Sequence, residues 1–178
     1  MKKKIVITGG LGYIGTELCK LYSGVSWHHE ITVIDNRFIS ERVNQIRNWN
    51  MEFIQGDILD KELIKRYCKD ADVVHHLAGV TKVPRTKSEA SESQDNEITE
   101  VAEKGTQNIL DVIENKCKII FPSTHVVYEG INEVKTDIDE EQETKPVLSY
   151  SSSKAINENQ LKKSGKNYVI LRLGSVYG

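Results

Sequence analysis

The sequence has few cysteines for its 178 residues, only Cys19, Cys68 and Cys117. They are odd in number and far apart, so they match neither the spacing of a metal site nor a framework of disulfide bonds. A reducing compartment suits such a chain, and we expect a cytoplasmic location. We expect no metal site, because no cluster of cysteines or carboxylates accompanies the five histidines.

The sequence also lacks long hydrophobic runs and an excess of one charge. No apolar run approaches the roughly 20 residues of a membrane helix. The apolar run after the basic N-terminus ends at once in Thr8-Gly9-Gly10, so it is not the core of a signal peptide. With 24 Lys+Arg against 26 Asp+Glu, the net charge of -2 gives no reason to expect binding to nucleic acid or to a membrane. The length allows one domain, or one domain and part of another.

Short apolar runs alternate with longer amphipathic stretches along the whole chain. The runs are mostly β-branched or leucine-rich, as in strands that are buried on both faces. They predict strands at Lys4-Thr8, Ile31-Asp35, Met51-Gln55, Asp72-Leu77, Lys118-Phe121 and Tyr168-Leu173. The stretches between them predict helices at Gly12-Tyr22, Ser40-Asn48, Asp60-Lys69, Ser91-Asn115 and Ser149-Lys163. This alternation predicts an α/β fold, a Rossmann-type doubly wound parallel sheet with helices on both faces. The acidic segment Glu129-Pro146 is expected to be a long surface loop.

A glycine-rich turn follows the first predicted strand. Gly9, Gly12 and Gly15 form a GxxGxxG pattern that opens a helix, so the backbone can approach a pyrophosphate and the helix N-terminus can donate its N–H groups. Asp35 ends the second strand 20 residues after Gly15, where a carboxylate accepts hydrogen bonds from both ribose hydroxyls and repels a 2′-phosphate. The pattern predicts NAD rather than NADP, although the nearby Arg37 could soften that preference. The alternative is a glycine turn with no ligand.

Two further positions lie at the carboxyl edge of the predicted sheet. Asp57 follows the third strand, where an adenine ring would lie, and a helix-capping aspartate is an equally good interpretation. Thr124 follows the fifth strand, where its hydroxyl could hydrogen-bond a substrate oxygen or merely cap a loop.

Tyr150 and Lys154 lie four residues apart on one face of a predicted helix. A nearby ammonium stabilises a phenolate and lowers the tyrosine pKa from about 10, so that the tyrosine can act as an acid or base near neutral pH. Such a pair also occurs by chance on many helices.

Together these features resemble the extended short-chain dehydrogenase/reductase family, in its nucleotide-sugar epimerase/dehydratase branch. The resemblance covers the whole chain and depends on the order and spacing of its motifs. These are Thr8-Gly9-Gly10-Leu11-Gly12-Tyr13-Ile14-Gly15, Val33-Ile34-Asp35-Asn36, Gly56-Asp57-Ile58, His76-Leu77-Ala78-Gly79, Ser123-Thr124 with Val127-Tyr128, Tyr150-Ser151-Ser152-Ser153-Lys154, and Leu171-Arg172 before Val176-Tyr177-Gly178.

The resemblance implies roles for named residues. Tyr150 would exchange a proton with a sugar hydroxyl, Lys154 would lower its pKa and hold the nicotinamide ribose, and Thr124 would orient the reacting oxygen. The cofactor would be NAD, and the implied contacts are Gly9, Gly12, Tyr13, Ile14, Gly15, Asp35, Asn36, Asp57, Ile58, Leu77, Ala78, Gly79, Tyr150 and Lys154.

The resemblance also implies a substrate and an organisation. The substrate would be a UDP- or dTDP-linked sugar, and a homodimer would form through helices 91–115 and 149–163. Residues 1–178 would form the NAD-binding domain, with the smaller C-terminal substrate domain absent.

The residues after Thr124 bear on the choice of reaction. Dehydratases of this branch typically carry Asp-Glu there and decarboxylases keep the Glu, whereas this chain has His125-Val126. Since Val126 cannot move a proton, epimerisation or simple carbonyl reduction remain. Other departures from the family pattern are Ala102, Gly79, Ser175 and Glu129.

Three functional hypotheses follow. The first is an NAD-dependent nucleotide-sugar epimerase or oxidoreductase. The second is a non-catalytic NAD-binding module that lacks a substrate domain. The third is a steroid- or flavonoid-type carbonyl reductase, which Asp35 disfavours because such enzymes more often use NADP.

Overall fold

The computed structural model describes residues 2–80, 91–133 and 136–177 of the chain. Strands and helices alternate as β1 Lys4–Thr8, α1 Tyr13–Ser23, β2 Glu30–Asp35, α2 Ser40–Asn48, β3 Glu52–Gln55, α3 Lys61–Cys68, β4 Val73–His76, α4 Glu92–Val112, β5 Lys118–Thr124, α5 Ser149–Lys163 and β6 Asn167–Leu173. Short 3-10 helices cover Ser26–His28 and His125–Tyr128. The predicted bounds differ from these by at most three residues.

The six strands form one parallel sheet in the order β3-β2-β1-β4-β5-β6. Along β1, Ile5 and Ile7 pack with residues of α1 and α2, whereas Val6 packs with residues of α3, α4 and α5. Helices therefore cover both faces of the sheet, and the doubly wound Rossmann-type fold is confirmed. The strands after β1 are added first on one side of it and then, from β4 onward, on the other side. Ligands bind at the carboxyl ends of the strands where the strand order reverses in this way, here between β1 and β4.

Two of the helices on the second face begin at side-chain caps. The Asp60 carboxylate accepts a hydrogen bond from the Leu63 backbone N–H at 3.0 Å, and the Ser91 hydroxyl accepts one from Gln94 at 3.3 Å. The long α4 packs closely, because a Cβ added to Gly105 would lie 2.3 Å from Ile58 Cδ1. Gly105 therefore lets α4 approach the loop that follows β3.

Strand β5 is longer than predicted, because Pro122 does not end it. Residues Lys118–Ile120 pair with β4, and the strand then continues to Thr124 paired with β6 alone. Pro122 thus lies where one side of the strand has no ladder partner, which is where a strand tolerates proline. The continuation carries Ser123 and Thr124 to the carboxyl edge of the sheet.

The predicted surface loop has neither helix nor strand in its described residues, 129–133 and 136–146. Its base is closed by two backbone hydrogen bonds, from Gly130 N to Lys145 O and from Lys145 N to Val127 O, each 2.8 Å. The loop therefore leaves and rejoins the fold at one place, next to the N-terminus of α5.

Candidate active site

A cleft of about 290 Å³ opens at the carboxyl edge of β1, β4 and β5, between the glycine turn and α5. Eleven predicted site residues line it: Gly9, Gly12, Tyr13, Ile14, Gly15, Leu77, Ala78, Gly79, Thr124, Tyr150 and Lys154. The structure adds lining residues that the motifs did not single out as contacts, among them Ile98, Ala102, Pro122, Ser123, Ser153 and Asn157. One cleft thus joins the glycine turn to the predicted catalytic groups.

The glycine turn has no room for side chains. Gly9 has a φ of +71°, and a Cβ there would lie 2.6 Å from the Ala78 backbone nitrogen. A Cβ on Gly15 would lie 2.5 Å from the Gly9 carbonyl oxygen. Gly12 precedes α1 and offers no side-chain cap, and the first turn of α1 holds no acidic residue. This bare helix N-terminus fits the pyrophosphate of a dinucleotide.

Gly15→Ala is expected to weaken the binding of NAD by about 10-fold or more. The new Cβ would push α1 away from the turn, because it meets the Gly9 carbonyl at 2.5 Å and Gly10 Cα at 2.6 Å. Isothermal titration calorimetry measures the change. Gly24→Ala is the matched control, since Gly24 has right-handed helical angles and no atom within 4 Å of an added Cβ. Equal affinities in the two variants would contradict the cradle geometry.

The predicted adenosine contacts lie outside the cleft lining, beside the glycine turn. Asp35 is buried at the end of β2, and its Oδ2 accepts a hydrogen bond from the Leu11 backbone N–H at 3.0 Å. Asn36 donates to Asp57 Oδ2 at 3.1 Å, and Asp57 Oδ1 accepts from the Leu59 N–H at 2.9 Å. The side chain of Ile58 lies in the core. Contacts of these residues with a cofactor stay predictions.

Thr124 has two roles open to it in this geometry. Its side chain is buried, and its Oγ1 accepts a hydrogen bond from the Val126 backbone N–H at 3.2 Å, which caps the 3-10 helix. The loop-capping interpretation of this residue is therefore correct as far as it goes. The hydroxyl also lines the cleft and keeps its own hydrogen to donate to an oxygen there.

Lys154 and Tyr150 both line the cleft, but the pKa of Tyr150 shifts in the direction opposite to the predicted one. Burial lowers the pKa of Lys154 to about 8 and raises the pKa of Tyr150. Burial of the Tyr150 phenol outweighs the expected lowering of its pKa, and the ammonium contacts other groups. Lys154 Nζ donates to Pro122 O at 3.2 Å and lies 4.6 Å from the Phe121 ring centre, against 5.9 Å for Tyr150.

A buried chain of hydrogen bonds holds the floor of the cleft. His76 bonds through Nδ1 to Thr8 Oγ1 at 3.0 Å and through Nε2 to Thr106 Oγ1 at 2.9 Å. Asn157 of α5 donates to Thr106 Oγ1 and to the Ala102 carbonyl, both at 2.8 Å. Burial lowers the pKa of His76 to about 3, so the imidazole stays neutral at physiological pH and its hydrogen bonds are kept. These contacts give His76 a structural role, since it joins β1 to α4.

A second buried network ties α5 to β5 and β6. Glu158 accepts hydrogen bonds from Ser123 Oγ at 2.6 Å, from Arg172 Nε at 3.0 Å and from Arg172 Nη2 at 2.6 Å. Arg172 also donates to the hydroxyl of Tyr128 and to the Glu140 carbonyl. Sequence reasoning noted Arg172 only as part of a motif and missed Glu158. An Arg in a strand with a Glu on the preceding helix was the available signal.

The departures from the family pattern now have positions in the structure. Gly79 has no packing requirement, because an added Cβ would meet nothing within 4 Å. Ala102 lines the cleft and offers only its carbonyl, which Asn157 occupies. Glu129 binds the start of α5, since its Oε1 accepts from the N–H groups of Val147 and Leu148 at 2.7 Å each and from the Ser151 hydroxyl.

His125 faces away from the cleft. It lines a neighbouring cavity of about 540 Å³ together with Tyr128, Ile138 and Arg172, and its Nδ1 lies 3.2 Å from Leu173 O. Across residues 2–80, 91–133 and 136–177, no three His, Cys, Asp or Glu side chains gather as metal ligands would. None of the helices in those ranges has the length and apolar character needed to cross a membrane.

The model of the NAD dependent epimerase/dehydratase family matches residues 5–178. The chain belongs to this family. It is 28% identical over 197 aligned positions to the dTDP-D-glucose 4,6-dehydratase of Dictyostelium discoideum, which covers 99% of this chain and 44% of that protein. It is 32% identical over 142 positions to the UDP-glucose 4-epimerase of Neisseria meningitidis serogroup C, covering 71% and 38%. The resemblance inferred from the motifs is confirmed.

A solved member of this epimerase/dehydratase fold agrees with the cofactor prediction. The Bordetella bronchiseptica enzyme WbmG, in complex with NAD and UDP, superposes with a TM-score of 0.81 at 26% identity, over 100% of this chain and 55% of WbmG. The family is NAD-dependent, as predicted, and the glycine cradle fits a dinucleotide. The chain spans about half, or less, of the length of these relatives.

Proposed function

We propose that this chain is the cofactor-binding and catalytic part of an NAD-dependent nucleotide-sugar epimerase or a related oxidoreductase. The observation that carries the proposal is a single cleft lined by the glycine turn and by Thr124, Tyr150 and Lys154. Residues 1–178 form the NAD-binding domain in this proposal. NAD bound in the cleft would supply the hydride acceptor, at C4 of its nicotinamide ring.

The chain's own residues then handle the proton and the orientation of the substrate. Tyr150 first releases its phenol proton to solvent, and the phenolate then takes the proton from a sugar hydroxyl and becomes a phenol again. Thr124 donates its hydroxyl hydrogen to the same oxygen and orients it. Lys154 would hold a ribose hydroxyl, and its ammonium would stabilise the phenolate by moving from Pro122 O toward Tyr150.

The residues after Thr124 support epimerisation or carbonyl reduction over dehydration. Dehydration needs an acid and a base at neighbouring carbons, and Val126 supplies neither. His125 lies on the neighbouring cavity, with its Nδ1 near Leu173 O. The chain's similarity to a dehydratase therefore concerns the shared fold and cofactor site, in this proposal, rather than the reaction.

The proposed substrate is a UDP- or dTDP-linked sugar. The support comes from relatives whose names state UDP-glucose and dTDP-glucose chemistry. The proposal includes a cytoplasmic location and a homodimer through α4 and α5, two helices that pack side by side through Asn157 and Gln160. Analytical ultracentrifugation tests the dimer.

A second candidate is an NAD-binding module without turnover. The observation in its favour is the position of Lys154, whose Nζ donates to Pro122 O and lies 5.9 Å from the Tyr150 ring centre. Mass spectrometry of the purified chain detects bound NAD. After addition of UDP-glucose or dTDP-glucose, NADH absorbance together with the configuration of the recovered sugar detects turnover. NAD binding with turnover supports the enzyme, and NAD binding without turnover supports the module. Failure to bind NAD contradicts both.

Lys154→Met is expected to remove activity while stabilising the folded chain by about 1 to 2 kcal/mol at pH 7. Burial lowers the pKa of Lys154 from 10.5 to about 8, so the folded state disfavours the charged lysine. The penalty is complete below pH 8 and fades between pH 8 and 10.5, so the stabilisation should shrink by pH 10. Part of the gain is offset by the lost hydrogen bond to Pro122 O.

Urea unfolding at pH 7 and pH 10 measures this effect. Lys163→Met is the matched control, because Lys163 is exposed on the same helix. The control should change the free energy of unfolding by less than about 0.5 kcal/mol at either pH. A Lys154→Met variant less stable than the wild type at pH 7 would contradict the prediction.

A further inference from the structure

A guanidinium group occupies the acceptor positions that an adenosine ribose would need. Asp35 Oδ1 accepts from the Arg37 backbone N–H at 3.0 Å and from Arg37 Nε at 3.1 Å. Asp35 Oδ2 accepts from the Leu11 N–H at 3.0 Å and from Arg37 Nη2 at 3.3 Å. A carboxylate offers about four lone-pair positions. All of them are therefore in use in the folded chain.

The four donors differ in how easily a ligand can displace them. Two are backbone N–H groups, which the turn holds in place. The other two belong to the Arg37 side chain, which is 53% exposed, whereas the side chain of Asp35 is 3% exposed. An ion pair that is this exposed on one side contributes little stability. Moving the Arg37 side chain would free one position on each carboxylate oxygen, which matches the two hydroxyls of a ribose.

The displaced guanidinium would remain close to the ribose. A Cβ added to Gly12 would lie 4.0 Å from Arg37 Nη2, so the guanidinium lies between Asp35 and the phosphate-binding turn. Without Arg37, the Asp35 carboxylate would repel a 2′-phosphate. With Arg37 beside it, the pair is neutral, and the guanidinium can bind a phosphate through two parallel hydrogen bonds.

We propose that Arg37 competes with NAD for Asp35 and lets the same site bind NADP. The inference rests on the proposed cofactor site and extends it to a second cofactor. NAD must break the ion pair between Arg37 and Asp35. NADP lets the guanidinium bind the 2′-phosphate while it stays beside Asp35, so the charge of Asp35 remains compensated.

The test measures dissociation constants for NAD⁺ and NADP⁺ by isothermal titration calorimetry, in the wild type and in Arg37→Gln. The wild type should bind the two cofactors within about 10-fold of each other. Arg37→Gln should bind NAD⁺ about 2- to 5-fold more tightly, because the competitor is gone. The same variant should bind NADP⁺ about 10-fold more weakly or worse. AMP and adenosine 2′,5′-bisphosphate, used as minimal probes, should show the same opposite changes.

Arg47→Gln is the matched control, because Arg47 is exposed on α2 and its loss changes the net charge equally. It should change either constant by less than about 2-fold. Equal weakening of both cofactors in Arg37→Gln would indicate a merely structural role and overturn the inference. So would binding of NAD⁺ with no measurable binding of NADP⁺, which leaves the proposed function standing. Failure to bind either nucleotide overturns both.

Discussion

Tyr150→Phe is expected to lower the turnover of a nucleotide-sugar substrate by about 10²- to 10⁴-fold, the usual contribution of a general acid or base. The change removes one hydroxyl from the cleft and leaves the ring in place. It should leave the affinity for NAD within about 3-fold, since the phenol is only one of many predicted cofactor contacts in the cleft. Steady-state kinetics and calorimetry measure the two quantities separately.

Tyr67→Phe is the matched control for this prediction. Tyr67 lies on α3, packs against the core, and is absent from the residues that line the cleft. Its loss of a hydroxyl should not change turnover. Equal turnover in Tyr150→Phe and the wild type would show that another group moves the proton.

Because burial raises the pKa of Tyr150, wild-type oxidation of the sugar should also accelerate as the pH rises above neutral.

Glu158→Gln is expected to lower the free energy of unfolding by about 3 kcal/mol, because it leaves the charge of Arg172 without its partner. The side chains of Glu158 and Arg172 are only 2% and 12% exposed. For a chain of this size the loss corresponds to a fall in Tm of roughly 10 °C. Thermal and urea unfolding measure it. Glutamine keeps only one acceptor oxygen for Ser123 and the two Arg172 donors, so the end of β5 next to Thr124 should loosen.

Glu100→Gln provides the contrast, because its ion pair with Lys104 lies on the surface of α4 with side chains 51% and 68% exposed. It should cost less than about 0.5 kcal/mol. Equal costs for the two variants would contradict the role given to the buried network.

The cost of Glu158→Gln should also depend on pH. Burial alone would raise the pKa of Glu158, but the hydrogen bonds from Arg172 and Ser123 outweigh it and hold that pKa below its usual range. A carboxylate with a lowered folded pKa stabilises above its unfolded pKa of about 4.3 and loses that effect as the pH falls through its folded pKa. The gap between Glu158→Gln and the wild type should therefore be constant from pH 5 to 8 and narrow below about pH 4.

The alternation of apolar runs and amphipathic stretches was sufficient to predict the sheet and its helices, because the strands are short, mostly apolar and separated from one another by helices. The predicted end of β5 was wrong for a reason that a sequence hides. Whether Pro122 ends a strand depends on which side of the strand has a neighbour, and only the sheet order shows that β4 has already separated there. Local propensity carries no information about strand neighbours.

The candidate site was predictable where a residue type is demanded by the backbone, as at Gly9 and Gly15. It was less predictable where long side chains choose between partners. Spacing alone aims Lys154 at Tyr150, yet the ammonium contacts Pro122 O and the Phe121 ring instead. The partners of Glu158 were equally hidden, because Arg172 follows it by 14 residues and lies on another element.

The hydrogen bonds between Glu129 and the start of α5 affect how the sequence of this fold can diverge. One carboxylate oxygen of Glu129 accepts hydrogen bonds from Val147, Leu148 and Ser151, so the helix that carries Tyr150 is anchored at its first turn by the first residue of the loop. The two ends of the loop are thereby held together, and each doubling of the loop length adds only about 0.6 kcal/mol to the entropic cost of closing it. Insertions between the Glu140 contact and Lys145 can reshape the neighbouring cavity while the tyrosine keeps its position. Sequence divergence among descendants of this chain should concentrate in that segment, and Glu129 and Ser151 should be kept.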